Sequence, residues 1–161
     1  MHEPQEIIKN DNFELANENI TMQPYILMLQ TDPDDRLLTE EILREMNTEI
    51  PLEFLFEFEK FVPFVSNNGK PLLILISERR EYPGIEILKQ LKANADFSFI
   101  PCVILTEMSL REDIIEYYSA GASSVITKPS TLEMTKRKIQ TFFTYWLKVA
   151  ELPGQVVFES N

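Results

Sequence analysis

Leu72-Leu73-Ile74-Leu75-Ile76-Ser77 is the stretch that decides the fold. Five consecutive large aliphatic side chains leave no polar face, so a strand here must be covered on both sides. Lys70 and Pro71 precede it, and the charged run Glu78-Arg79-Arg80-Glu81 follows at once. Such a strand belongs in the middle of a parallel sheet with helices on both faces. Ligands and chemistry sit at the carboxyl ends of the strands in sheets of this kind, which makes Ser77 the first site candidate.

Working outward, four more apolar runs read as strands: 25–29, 52–56, 99–106 and 123–127. Three of them end in polar groups, namely Gln30-Thr31-Asp32, Thr106 and Thr127-Lys128. Between the strands, helical patterns are expected over 33–47, 57–66 (broken near Pro63), 84–95 and 109–119, with Ser109 as a cap. A last helix is expected over 131–149. Asp32 stands where an N-cap would, with Pro33 at the first helical position and Asp34-Asp35 in the first turn. Five strands alternating with five helices predict a doubly wound α/β sheet with right-handed crossovers. Residues 1–24 form an acidic extension, with a short helix at 4–17 or a flexible leader as the two readings. The domain proper is expected over 25–150, and 151–161 as a tail too short for a further DNA-binding domain.

Composition removes most function classes. The 161 residues are 44% hydrophobic, enough for one full core. No run reaches the ~18 apolar residues of a membrane helix. The start MHEPQEIIKN lacks the features of a signal peptide. Cys102 is the single cysteine and reads as a core residue, so the expected location is the cytoplasm. A net charge of −11 argues against nucleic acid as a partner. The one histidine is His2, which leaves neither a His-based nucleophile pair nor a His metal cluster. Gly69, Gly84, Gly121 and Gly154 are scattered, so no phosphate-cradling glycine loop exists.

The stretches ILMLQTDPDDRLLTEEIL, PLLILISERREYPGIEILKQL, IPCVILTEMS and AGASSVITKPSTLE, spanning about residues 25–145, resemble the receiver domain of bacterial response regulators, of the chemotaxis-receiver type. FTYWLKVAELP adds a weaker resemblance to response regulators that partner phytochromes. The resemblance implies a flavodoxin-like sheet of order 2-1-3-4-5. It also implies a carboxylate at the end of the central strand that accepts a phosphoryl group from a histidine kinase. An acidic pair after the first strand helps hold Mg²⁺ in that family, with a Thr after the fourth strand and a Lys after the fifth.

Against that pattern Thr106 and Lys128 match. Asp32 matches the second member of the acidic pair, and Thr31 stands at the first. The acceptor position falls on Ser77 counting from Pro71, or on Ile76 counting back from Gly84. Neither is an aspartate, and an alcohol with no activating base is a poor phosphoryl acceptor. Glu78 is the nearest carboxylate, read either as a solvated loop residue or as one leaning into the pocket. Lys128 reads alternatively as the partner of Asp32 in a structural ion pair. With one first-strand carboxylate, a tight Mg²⁺ site is not expected. The switch position holds Val125, whose stiff side chain has no aromatic swing.

Ile139, Phe142, Phe143, Trp146, Leu147 and Ala150 form a helical stripe. Its first half is expected on the sheet and its second half at a partner, with a homodimer as one solution. The expectation is a non-enzymatic receiver that binds a histidine kinase or another signalling protein without phosphorylation. A receiver phosphorylated on a non-standard carboxylate is one alternative, and a small α/β enzyme or ligand-binding domain another.

Overall fold

The central strand is β3, Leu73–Ser77, every residue of which is buried. It pairs in parallel with β1 (Ile26–Leu29) on one side and β4 (Cys102–Thr106) on the other. Outside these lie β2 (Leu52–Leu55) and β5 (Ser124–Thr127), giving the parallel order β2-β1-β3-β4-β5. The computed structural model describes residues 23–107 and 110–154. The expected extension therefore lies outside the described residues except for positions 23 and 24, as does Ser109.

Period-two alternation along each strand assigns its side chains to two cores. Leu27, Leu29, Ile74, Ile76, Cys102 and Ile104 face one side. There they meet Phe61 and Val65 of α2 (Phe61–Asn68), Ile87, Leu88 and Leu91 of α3 (Gly84–Ala93), and Tyr117 of α4 (Arg111–Ser119). Ile26, Met28, Leu73, Leu75 and Val103 face the other side. They meet Leu43 of α1 (Pro33–Glu45) and Phe143 of α5 (Leu132–Lys148). Three helices thus cover one face and two the other, which is why the central strand carries no polar residue before Ser77.

Four local expectations need correction. Helix α2 is not broken at Pro63: the irregularity lies earlier, where a 3-10 turn, Phe58–Lys60, hands over to the helix. Pro63 sits in the first turn of α2, where a backbone N–H has no intrahelical partner to lose. The strand expected from 99 begins only at Cys102, because residues 95–99 form turns. Folded structure also continues past residue 150, since Leu152 is 4% exposed and joins the α1/α5 core. The aromatic stripe of α5 is more internal than expected. Phe143 is 1% exposed and closed to any partner, and Ile139, Phe142, Trp146 and Leu147 pack half-buried on the same core. The outward residues of α5 and its end are Leu132, Met134, Tyr145 and Val149.

A candidate pocket at the carboxyl ends of the strands

The parallel register brings the ends of β1, β3, β4 and β5 to one level. Ser77 lies opposite Leu105, and Thr106 opposite Thr127. The ladder continues one step into the loops: Glu78 N–H donates to Leu105 O at 2.8 Å, and Lys128 N–H to Thr106 O at 2.9 Å. These ends enclose a pocket of about 480 Å³. Asp32, Ser77, Glu78, Thr106 and Lys128 all line it. Thr31 does not; it is buried outside the lining, at 1% exposure. Ile76 is likewise buried in the core, so Ser77 is the residue that β3 presents to the pocket.

The pocket also holds residues that the sequence pattern did not single out: Gln30, Asp35, Arg79, Arg80 and Glu107. Asp35 changes the electrostatics most. Lys128 donates to Asp35 Oδ2 in a part-buried ion pair, correcting the expected pairing with Asp32. Asp32 instead caps α1, its Oδ1 accepting from Asp35 N–H at 2.9 Å. The two carboxyls titrate in opposite directions. Burial pushes Asp35 above its ordinary 3.8, outweighing the pull of Lys128, and the Asp32 charge adds to the rise. Burial also acts on Asp32, but the Asp35 and Asp34 N–H groups, the Asp35 carboxyl and Lys128 together hold it below 3.8.

Glu78 is neither solvated nor free. Its Oε2 accepts from Gly84 N–H at 2.9 Å at the start of α3. The Tyr117 hydroxyl is held well above the usual tyrosine range, by burial first and by the Glu78 carboxylate beside it second. A Cβ at Gly84 would lie 2.8 Å from that oxygen, so the glycine is what lets the carboxylate seat. Glu107, 84% exposed, reaches Lys128 at 4.0 Å from the rim.

Among the described residues, three buried side-chain polar atoms lack a hydrogen-bond partner: Gln30 Oε1, Thr31 Oγ1 and Ser77 Oγ. Gln30 itself sits at a strained point, its φ of 59° being left-handed, a conformation that costs a non-glycine residue about 1 kcal/mol or more. Among the described residues no group of three or more His, Cys, Asp or Glu side chains is placed to hold a metal ion. The residues present do not fit the divalent cation that the receiver pattern implies. The two carboxyls nearest the β1 end already hold an ammonium and a helix N-terminus.

Val125 sits on the edge strand β5, its N–H donating to the Tyr118 hydroxyl at 3.3 Å. It packs at the margin of the core, and on its outer side lines a shallow groove with Tyr118, Phe142, Tyr145 and Trp146.

No family model matches the chain. It is similar to the response regulator Rcp1 of Synechocystis sp., at 27% identity over 136 residues, covering 80% of this chain and 92% of that protein. The Mn²⁺-bound crystal structure of Rcp1 superposes with a TM-score of 0.73 over 81% of this chain and all of that one. The phosphorylated cyanobacterial phytochrome response regulator RcpA shares the fold at 22% identity, with a TM-score of 0.71 over 81% of this chain and 99% of its own. A shorter match, 35% identical over 60 residues, joins 37% of this chain to 46% of the chemotaxis protein CheY-3 of Vibrio cholerae. Among the described residues no helix is long and apolar enough to cross a membrane.

Proposed function

We propose that this chain, which has the receiver fold of the response regulators of two-component signalling, works as a protein-interaction module whose state is not set by phosphorylation. The observation that carries this reading is Ser77 at the inner end of β3, lining the pocket where the receiver pattern calls for an aspartate. The other groups of the pocket support it. Asp35 is engaged with Lys128, Asp32 with the start of α1, and Glu78 with Gly84 and Tyr117. A phosphoryl group attached here would find Lys128 already engaged by Asp35 and Asp32 by a helix start, so neither is free to stabilise acyl-phosphate charge directly or through a bridging cation.

The interaction surface we assign is the outer side of β5 and α5. Tyr145, half exposed, and the flank of Trp146 offer apolar area beside Arg137 and Lys138. A two-fold contact buries each such residue twice, which makes a homodimer the economical occupant, with a histidine kinase or other signalling protein as the heterologous one. Light scattering on the purified chain tests both parts together. The expected result is a dimer at tens of micromolar whose mass is the same with and without acetyl phosphate and Mg²⁺. A monomer that dimerises only with the phosphoryl donor would favour the alternative, a receiver phosphorylated on a non-standard carboxylate.

A further inference from the structure

A second groove lies where the chain leaves β2 and where α3 begins. Its volume of about 180 Å³ is below the roughly 300–1,000 Å³ of sites for drug-sized ligands, and suits one long side chain of a docked segment. Phe56, Phe58, Tyr82, Pro83 and Ile87 give it an apolar lining. Ile87, 4% exposed, and Phe58, half-buried against the α2/α3 core, belong to its inner side. Phe56 and Tyr82 stand 54% and 63% exposed. Two aromatic side chains left to water at one groove mark a surface suited to a partner.

The charge of this groove has one sign. Glu57, Glu59 and Glu86 line it, and no lysine or arginine does. Lys60 pairs with Glu57 at 2.9 Å, while Glu59 and Glu86 make no ion pair among the described residues. Arg79 and Arg80 line the neighbouring pocket rather than this groove. Aromatic faces beside exposed carboxylates are complementary to an organic cation. Arginine uses both: its planar guanidinium stacks on a ring while its donor fork meets a carboxylate.

The strand leading into the groove offers a track for main chain. β2 pairs with β1 alone. Ile26 N–H donates to Pro51 O and Gln30 N–H to Leu55 O, so the backbone of the odd-numbered residues faces β1 and that of Leu52 and Phe54 faces outward. An extended segment added at this edge leads toward Phe56 and the groove. A second copy of the chain is a poor occupant. Pairing two such edges sets Glu53 and Glu57 of one copy against those of the other, in a chain of net charge −11.

We propose that this groove is the docking site for an extended, arginine-bearing segment of a partner protein. The segment lies along the outer edge of β2, with a guanidinium against the aromatic rings and on the carboxylates of Glu59 and Glu86. This goes beyond the function proposed above: the surface is at the sheet edge opposite β5, and it uses neither Ser77 nor α5.

The test is a titration of the intact, isotopically labelled chain with an acetylated, amidated peptide Val-Arg-Val-Arg-Val at low salt and neutral pH, followed by amide NMR. The expected result is saturable shifts at Glu57, Glu59, Tyr82 and Glu86, with a dissociation constant of about 1 mM or tighter. Citrulline in place of arginine keeps the shape without the charge and should weaken binding at least about tenfold, and lysine at least about threefold. Tyr82→Ala and the double substitution Glu59→Gln/Glu86→Gln should each weaken it at least about fivefold with the melting temperature unchanged. Linear shifts up to tens of millimolar, equal affinity for the citrulline or lysine peptide, indifference to both variants, or shifts confined to α5 would each overturn the assignment. A fall in the light-scattering mass of the peptide-free chain on Tyr82→Ala would make the occupant a second copy and overturn it as well.

Discussion

At the scale of single residues, the pocket is organised by Asp35, whose role depends on a contact across 93 positions of sequence. Asp34 and Asp35 were both legible as acidic residues at a helix start, but which one reaches Lys128 depends on the phase of α1 over the strand ends. Strand-end residues such as Ser77 and Thr106 need no such phase, and their place in the lining could be read from the sequence. Removing the carboxylate with Asp35→Ala leaves a part-buried ammonium short of its partner and should cost roughly 1.5–3 kcal/mol in denaturant unfolding. Asp32 has a pH signature of its own. Its folded-state pKa lies below 3.8, so its stabilisation is full above that value and is lost as pH falls through the folded pKa. Asp35, raised above 3.8, works in the opposite sense: its burial penalty grows as pH rises through its folded pKa. Asp32→Asn keeps a capping oxygen and removes only the charge. The stability gap between it and the wild type should therefore narrow as pH drops below about 4, as followed by urea melts. Cys102, 0% exposed and pushed up to about 11 by burial, should resist thiol reagents at pH 8 until the chain is unfolded.

At the scale of elements, β3 and β4 were legible because continuous aliphatic runs permit one placement only, the middle of a covered sheet. Helix α5 was legible in extent but not in how it shares its stripe between core and surface. A helical stripe gives an angle, and the depth of Trp146 depends on Phe142, tilted against it, and Tyr145, edge-on to it. This division makes two substitutions diverge. Trp146→Ala removes half-buried core contact and should lower stability by about 1–3 kcal/mol. Tyr145→Glu changes an outward side chain and should leave the melting temperature in place while abolishing the dimer in light scattering. Loss of stability with an intact dimer in the Tyr145 variant would remove α5 from the interface.

At the scale of the whole molecule, the fold is that of a receiver, while three of the pocket's carboxylates and its lysine are already engaged within the chain. On the proposed reading such a scaffold holds its surface in one state, because those engaged groups are not available to a metal ion or a covalent phosphoryl group. Millimolar Mg²⁺ should accordingly leave the melting temperature unchanged; a rise of several degrees that EDTA reverses would contradict that. The most direct measurement is the intact mass of the chain after incubation with acetyl phosphate and Mg²⁺, and in parallel with a phosphorylated histidine kinase. The predicted mass is that of the untreated chain in both cases. A gain of one phosphoryl group mapped to Glu78, Asp32, Asp35 or Ser77 would contradict the account.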